Sequence, residues 1–367
     1  MDELPIVSKK QQPFTLGKSV HWPRSAKRRA LFLVSYIVFL TALCWFGYRL
    51  YWSFKQGAPL ATGKNDIWDD FYPTLRNSGV LTAEFKSPPD EINVVMLGAS
   101  TIENAWGDVE ERLRTGLQRE FGKGVRVFNL AEVAHTSRDS ALKFSKIADK
   151  PFDLVLIYDG FNDCRMNNCP PEMFRDDYTH CAWYRSFEMR RKAGVSQLPV
   201  EVLRSLGRAI GMGDPEENLV QYGGDLKTPK GFRQNLEEIL QSTREQNGLV
   251  LLQTFAYHIP EGYTDEKLKQ GDLDFGRSRG RTRCPLQMWG RPADVISCVD
   301  AHNRVIRDLA ESDPQHTIFV DQQKLLSPNG QYFVDACHFT DTGCRQFVDN
   351  LLPAVVQRLR QKRVQSP

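Results

Sequence analysis

The sequence predicts a three-layer α/β/α sandwich around a mostly parallel five-stranded sheet, preceded by one transmembrane helix. Three observations predict it. Five short apolar runs of buried-strand type recur between residues 92 and 320. Segments with helical spacing separate them, and an uncharged apolar run near the N-terminus is long enough to cross a bilayer.

The N-terminal run spans residues 30–48 and contains no charged side chain. At 1.5 Å per residue it reaches roughly 28 Å, about one hydrocarbon thickness. Seven basic residues (Lys9, Lys10, Lys18, Arg24, Lys27, Arg28, Arg29) precede it, against Arg49, Lys55 and Lys64 after it. This bias puts the N-terminus in the cytoplasm and the remainder outside. Trp45, Tyr48, Tyr51 and Trp52 sit at the far end, where an interfacial aromatic belt belongs. The sequence Trp45-Phe46-Gly47-Tyr48 offers no small-residue cleavage site, so the reading is a retained signal anchor over 30–51 behind a basic tail, 1–29. Of the net charge of +3, that tail holds more than the whole; the rest of the chain is slightly acidic and carries no electrostatic footprint for nucleic acid.

Residues 52–90 are broken by Gly57, Pro59, Pro73, Gly79, Pro88 and Pro89, which suits a linker, a stalk or a wrapping segment. The domain proper is expected over 91–367. Its first strand is 92–97 (INVVML), followed by helical spacing at Val109, Leu113, Leu117 and Phe121. A second strand, 125–129, precedes a helix near 138–149, and a third strand is 154–158 (LVLIY). Residues 165–230, rich in Gly, Pro and charge, read as an insertion over the site. A helix near 232–244 leads into a strand at 249–255. Val295, Val299, Ile306 and Leu309 mark another helix, 317–320 a fifth strand, and a last helix starts near Thr342.

Seven cysteines lie beyond the apolar run, which holds Cys44. Export to an oxidising compartment and nearness in sequence lead us to expect bridges Cys284–Cys298, Cys164 with Cys169 or Cys181, and Cys337–Cys344, with one thiol left over. No Cys-x-x-Cys pair occurs, so neither a metal nor another cofactor is expected.

In an open α/β sheet, ligands bind beyond the carboxyl ends of the strands. Four polar loops fall there: Gly98-Ala99-Ser100-Thr101, Ala134-His135-Thr136-Ser137, Gly160-Phe161-Asn162-Asp163 and Asp335-Ala336-Cys337-His338. Together they hold a complete acyl-transfer chemistry. A serine hydroxyl needs a base to take its proton, an imidazole is the usual base, and a carboxylate fixes the imidazole tautomer. Asp335 and His338 are close enough in sequence to do this within one loop, and the Asn162 amide with backbone N–H groups can stabilise an oxyanion. Taken singly, Ser100 would read as a helix cap or phosphate-loop serine, Asn162 as an Asx-turn and His338 as a satisfied loop histidine. Their order along the chain and shared sheet edge favour the functional reading. His135 and His258, near strand ends but without a suitably spaced carboxylate, are left as substrate contacts or structural residues.

At these positions the sequence resembles the SGNH (GDSL-like) hydrolase family. The family's first block, Gly-Asp-Ser, appears as Gly98-Ala99-Ser100; its third, Gly-x-Asn-Asp, is intact at 160–163; its fifth, Asp-x-x-His followed by Thr and Gly, is intact at 335–343. The second block aligns at 129–134 with Ala134 in place of the oxyanion glycine. The resemblance implies a flavodoxin-like sheet, catalytic Ser100, Asp335 and His338, an oxyanion hole from the N–H groups of Ser100 and Ala134 and the Asn162 side chain, and no cofactor. It also implies an acyl-ester substrate; with the membrane anchor, a cell-envelope carbohydrate or lipid. Ala99 removes an aspartate that is not part of the triad. Ala134 keeps the N–H, but its Cβ crowds the hole or demands an unusual backbone angle. Two rival readings are a non-catalytic envelope binding or assembly protein on the same fold, and a metal-dependent phosphoesterase using Asp159, Asp163, Asp335 and His338.

Overall fold

A computed structural model describes residues 24–56, 67–85, 91–193, 219–277 and 283–365. The chain divides into two compact units, Met1–Lys64 and Asn65–Pro367. The basic tail expected at 1–29 lies largely outside the described residues, as do parts of the expected linker and insertion.

In the first unit, helix α1 (Arg24–Gln56) contains a candidate membrane span, Lys27–Leu50, whose most apolar 18-residue window has a mean hydropathy of 2.1 and no buried residue. Leu31, Phe32, Ile37 and Phe39 are all exposed. Length and composition suit a bilayer crossing, as a signal anchor or a signal peptide.

The second unit is built on strands β1 (Ile92–Gly98), β2 (Val125–Asn129), β3 (Leu154–Tyr158), β4 (Leu249–Gln253) and β5 (Thr317–Val320). All pair in parallel, in the order β2-β1-β3-β4-β5. The helices are α2 (Ile67–Phe71), α3 (Pro73–Asn77), α4 (Val109–Phe121), α5 (Ser137–Ser145), α6 (Ala182–Ala193), α7 (Thr228–Glu245), α8 (Asp265–Gln270), α9 (Pro292–Ser312), α10 (Gln322–Leu325) and α11 (Asp341–Gln365). β1, β3 and β4 are buried throughout, as strands covered on both faces must be, and this is why their sequences are continuous rather than alternating apolar runs.

Alternate side chains feed two cores. Val94, Met96, Leu154, Leu156 and Leu251 pack with Leu113, Leu117, Phe347 and Leu351 of α4 and α11. Val95, Leu97, Val155, Ile157 and Leu252 pack with Leu142, Leu236 and Ile239 of α5 and α7. The chain leaves β1 toward β2 and then returns across it to β3. The reversal opens a crevice at the carboxyl ends of β1 and β3, where such sheets bind ligands.

Residues 67–85, the described part of the expected linker, are bound into this unit. Phe71, Tyr72, Leu75 and Val80 are buried in the second core, and Asp70 pairs with Arg190 of α6 at 2.7 Å. These residues pack against the domain. The described parts of the insertion contain no strand, and its Tyr178, Tyr184 and Phe187 are buried against the α5 side.

The expected disulfides are not formed; all eight cysteines are free. Nearness in sequence misled because secondary structure turns neighbours apart. Cys298 lies on α9 and faces Cys164 and His302, whereas the backbone N–H of Cys284 donates to Asp335. Cys169 and Cys181 each contact Met166, and Cys337 lies 3.5 Å from His338 Nδ1. Cys344 packs so closely under Gly107 that a Cβ there would sit 2.6 Å from its sulfur.

Candidate active site

β1 ends at Gly98, where a Cβ would come within 2.8 Å of the Tyr158 carbonyl oxygen. The bare glycine lets the ends of β1 and β3 approach, and the chain then turns into a 3₁₀ segment that begins at Ser100. Asn129, at the end of β2, fixes this turn: its amide donates to the Ile102 carbonyl at 2.9 Å, and its oxygen accepts from Ala131 N–H.

Ser100 Oγ lies 2.8 Å from His338 Nε2, and His338 Nδ1 lies 2.8 and 2.9 Å from the two oxygens of Asp335. The Asp335 carboxylate also accepts backbone N–H groups from Cys337, His338 and Cys284. Burial alone would raise its pKa; the hydrogen bond and charge of His338 and the backbone donors outweigh that and hold it below the ordinary value. Asp335 is therefore ionised wherever the imidazole is neutral, and orients Nδ1–H so that Nε2 faces the hydroxyl. The outer face of the imidazole is covered by Trp106, stacked at 3.8 Å and 14°.

Of the residues expected at an oxyanion hole, Ser100 and Asn162 line one cavity. Ala134 has φ +66°, the left-handed conformation that its substitution for glycine foreshadowed. Its carbonyl accepts from Arg165. Asn162 donates one amide hydrogen to the His135 carbonyl at 2.8 Å, and its oxygen accepts from Trp289 Nε1 at 2.7 Å. Those two bonds fix which way the amide points and leave its second N–H without a hydrogen-bond partner among the described residues.

The loop between Leu130 and His135 rests on a fully buried lysine. Lys143 donates to the Leu130 carbonyl and meets His135 Nδ1 at 3.0 Å. Burial, then the Lys143 charge, pushes the His135 pKa down to about 3, so this imidazole is neutral and structural. His258 is likewise held, with Nε2 2.8 Å from the Asp274 carbonyl and its backbone N–H on Ala336.

Of the carboxylates proposed for a metal-dependent rival, Asp163 accepts the Ser137 hydroxyl at 2.6 Å, Ser137 N–H and the Tyr178 hydroxyl at 2.8 Å. Asp335 and His338 bind each other. Among the described residues, the groupings able to hold an ion do not join Asp159 or Asp163 to them. Asp159 is buried with both oxygens unpartnered, and burial followed by the Asp163 charge pushes its pKa up to about 7.

Trp106, Trp289 and Lys143 were invisible to sequence reasoning. Trp106 and Trp289 each act on a residue far away in the chain, and Lys143, though close in sequence to His135, is no part of a motif.

An Ala134→Gly variant tests the strained position. A left-handed alanine costs about 1 kcal/mol more than glycine. The variant is expected to melt a few degrees higher with the same or faster turnover, since the N–H is retained. A lower melting temperature would contradict this account of the loop.

No protein-family model and no curated protein matches the sequence. Solved structures similar to it include an acetyl xylan esterase, at 15% identity over 72% of this chain and 100% of that one, with a TM-score of 0.38. A GDSL-like lipase from Bacteroides thetaiotaomicron is 14% identical over 79% of this chain and 98% of its own, with a TM-score of 0.43. A catalytic mutant of an acetylxylan esterase from Geobacillus stearothermophilus is 14% identical over 74% and 96%, with a TM-score of 0.41.

Proposed function

We propose that the chain is a serine esterase or O-acyltransferase that handles small acyl esters of an envelope carbohydrate or lipid. The observation that carries this reading is the continuous hydrogen-bonded line from Ser100 through His338 to Asp335, facing an asparagine amide with one N–H to spare. Ser100 attacks the ester carbonyl while His338 Nε2 takes its proton. Charge developing on the carbonyl oxygen meets the N–H groups of Ser100 and Ala134 and the free N–H of Asn162. His338 then returns the proton to the leaving alkoxide, leaving an acyl group on Ser100. Water, or a sugar hydroxyl, repeats the attack with His338 again as base.

The acyl group is small. The cavity beside Ser100, walled by Phe161, Asn162, Phe255 and Cys337, has a volume of about 10 Å³, room for one water-sized group. Of ester acyl groups an acetyl methyl needs the least widening of this cavity, whereas a longer chain must displace buried aromatic side chains, which costs about 1–3 kcal/mol. In a chromogenic ester series, kcat/KM should therefore fall roughly 10–100-fold from acetate to hexanoate. Equal or better use of the longer esters would overturn the small-acyl assignment.

We further assign α1 as a retained anchor that keeps this site on the outer face of the membrane, on the charge bias across it. A reporter fused after residue 367 should be active outside the cytoplasm only; cytoplasmic activity would refute the topology.

A further inference from the structure

Behind the Asn162 loop, on the side away from Ser100, lies a second cluster that the proposed reaction does not use. Cys164 follows Asn162 by two residues, and Cys298 and His302 occupy successive turns of one face of α9. All three are buried, and their ligand atoms lie within 4.8 Å of one another. Thr228, the first residue of α7, completes the group: its hydroxyl is 2.9 Å from His302 Nε2 and 3.6 Å from Cys298 Sγ.

We propose that Cys164, Cys298, His302 and Thr228 form a structural zinc site that braces the loop carrying Asn162. A tetrahedral zinc with bonds of about 2.0–2.3 Å sets neighbouring ligand atoms roughly 3.3–3.8 Å apart. Cys298 Sγ lies 3.8 Å from His302 Nε2 and 3.6 Å from the Thr228 hydroxyl, inside that range, and the 2.9 Å hydrogen bond between Thr228 and His302 would open by about 0.4 Å to admit the ion. The surrounding hydrogen bonds are those a ligand set needs. His302 Nδ1 is 2.8 Å from the Gly160 carbonyl, which directs Nε2 inward, and the Asn167 amide donates to Cys298 Sγ at 3.1 Å. Phe232 stacks on the imidazole at 4.4 Å and holds its plane.

A disulfide between the two cysteines would use only their sulfurs. His302 and Thr228 would then be hydrogen-bonded to each other at 2.9 Å beside the bridge and take no part in it. Zinc uses all four. Binding releases the two thiol protons, and the Thr228 hydroxyl hydrogen turns away from Nε2 so that oxygen and nitrogen lone pairs face the ion. Zn²⁺ with two thiolates has no net charge, which suits a dry interior. With no opening to solvent, the ion enters as the chain folds. The ion would tie three separate segments together: the turn after β3, the start of α7 and the middle of α9.

The test uses the full-length chain in detergent, prepared from zinc-supplemented cells without chelators, with zinc measured by atomic emission and thiols by mass spectrometry of non-reduced peptides. One zinc per chain is expected, lost in Cys164→Ser and Cys298→Ser and kept in Cys284→Ser, whose thiol belongs to a separate cluster with Asp335 and His338. Asn167→Ala should weaken zinc affinity by roughly 10–100-fold. Should the cysteine variants fail to fold, the wild-type chain still decides. A strong chelator present during refolding should lower its melting temperature, and cobalt in place of zinc should give a thiolate charge-transfer band. A zinc-free chain whose melting temperature ignores added zinc would overturn the proposal. So would a Cys164–Cys298 linked peptide, or zinc lost with Cys284 and kept without Cys298. None of these readouts involves turnover, so they stand or fall separately from the esterase reading.

Discussion

Ser100→Ala and His338→Ala are each expected to lower kcat on any ester substrate by roughly 10⁴–10⁶, and the double variant to be scarcely slower than either alone. The reason is the 2.8 Å contact between Ser100 Oγ and His338 Nε2. A hydroxyl without a base hardly reacts, and a base without a hydroxyl has nothing to activate, so removing the second partner costs little once the first has gone. Asp335→Asn keeps the shape of the site but favours the wrong imidazole tautomer, and belongs to the same class of loss. Losses that multiply in the double variant would mean that the two side chains act independently and that the proposed unit is wrong. The variants are measured by steady-state kinetics on a chromogenic acetate.

Asn162→Ala should lower kcat by roughly 10²–10³ with little change in KM. The pattern follows from where the amide sits. One N–H is spent on the His135 carbonyl, the oxygen is held by Trp289 Nε1, and the remaining N–H meets the substrate oxygen only as charge develops on it. Binding of the neutral ester hardly depends on that bond, whereas the tetrahedral intermediate does. Trp289→Phe tests the orientation separately. It leaves Asn162 in place and removes the donor to its oxygen, so the amide is free to flip. A smaller kcat loss than that of Asn162→Ala is expected, again with KM nearly constant. If Asn162→Ala instead raised KM and spared kcat, the residue would be a ground-state contact and the oxyanion assignment would fail.

Much of the fold was legible because its signals are local. The runs at 92–97, 125–129, 154–158 and 317–320 became strands β1, β2, β3 and β5 to within a residue, and the apolar runs of β1 and β3 are buried on both faces. The helix begun at Val109 kept its Leu113 and Leu117 stripe on the sheet. The candidate site was legible for another reason: a parallel sheet delivers every strand's carboxyl end to one edge, so polar residues there converge whatever their separation in the chain. Contacts set by long-range packing were not legible. Cys298 was expected to bridge Cys284, yet the helical phase of α9 points it at Cys164 and His302. Trp289, 127 residues from Asn162, carries no local mark of its role. Lys143 reads as one more polar helix residue, but the turn of α5 puts it under the Ala134 loop with no exposed surface.

The central claim, that Ser100 is an activated nucleophile, is tested most directly by labelling the full-length protein with a fluorophosphonate probe and mapping the adduct by peptide mass spectrometry. The account predicts one adduct, on Ser100, absent from Ser100→Ala and strongly slowed in His338→Ala. An adduct on another serine, or ester turnover that persists in Ser100→Ala, would contradict it.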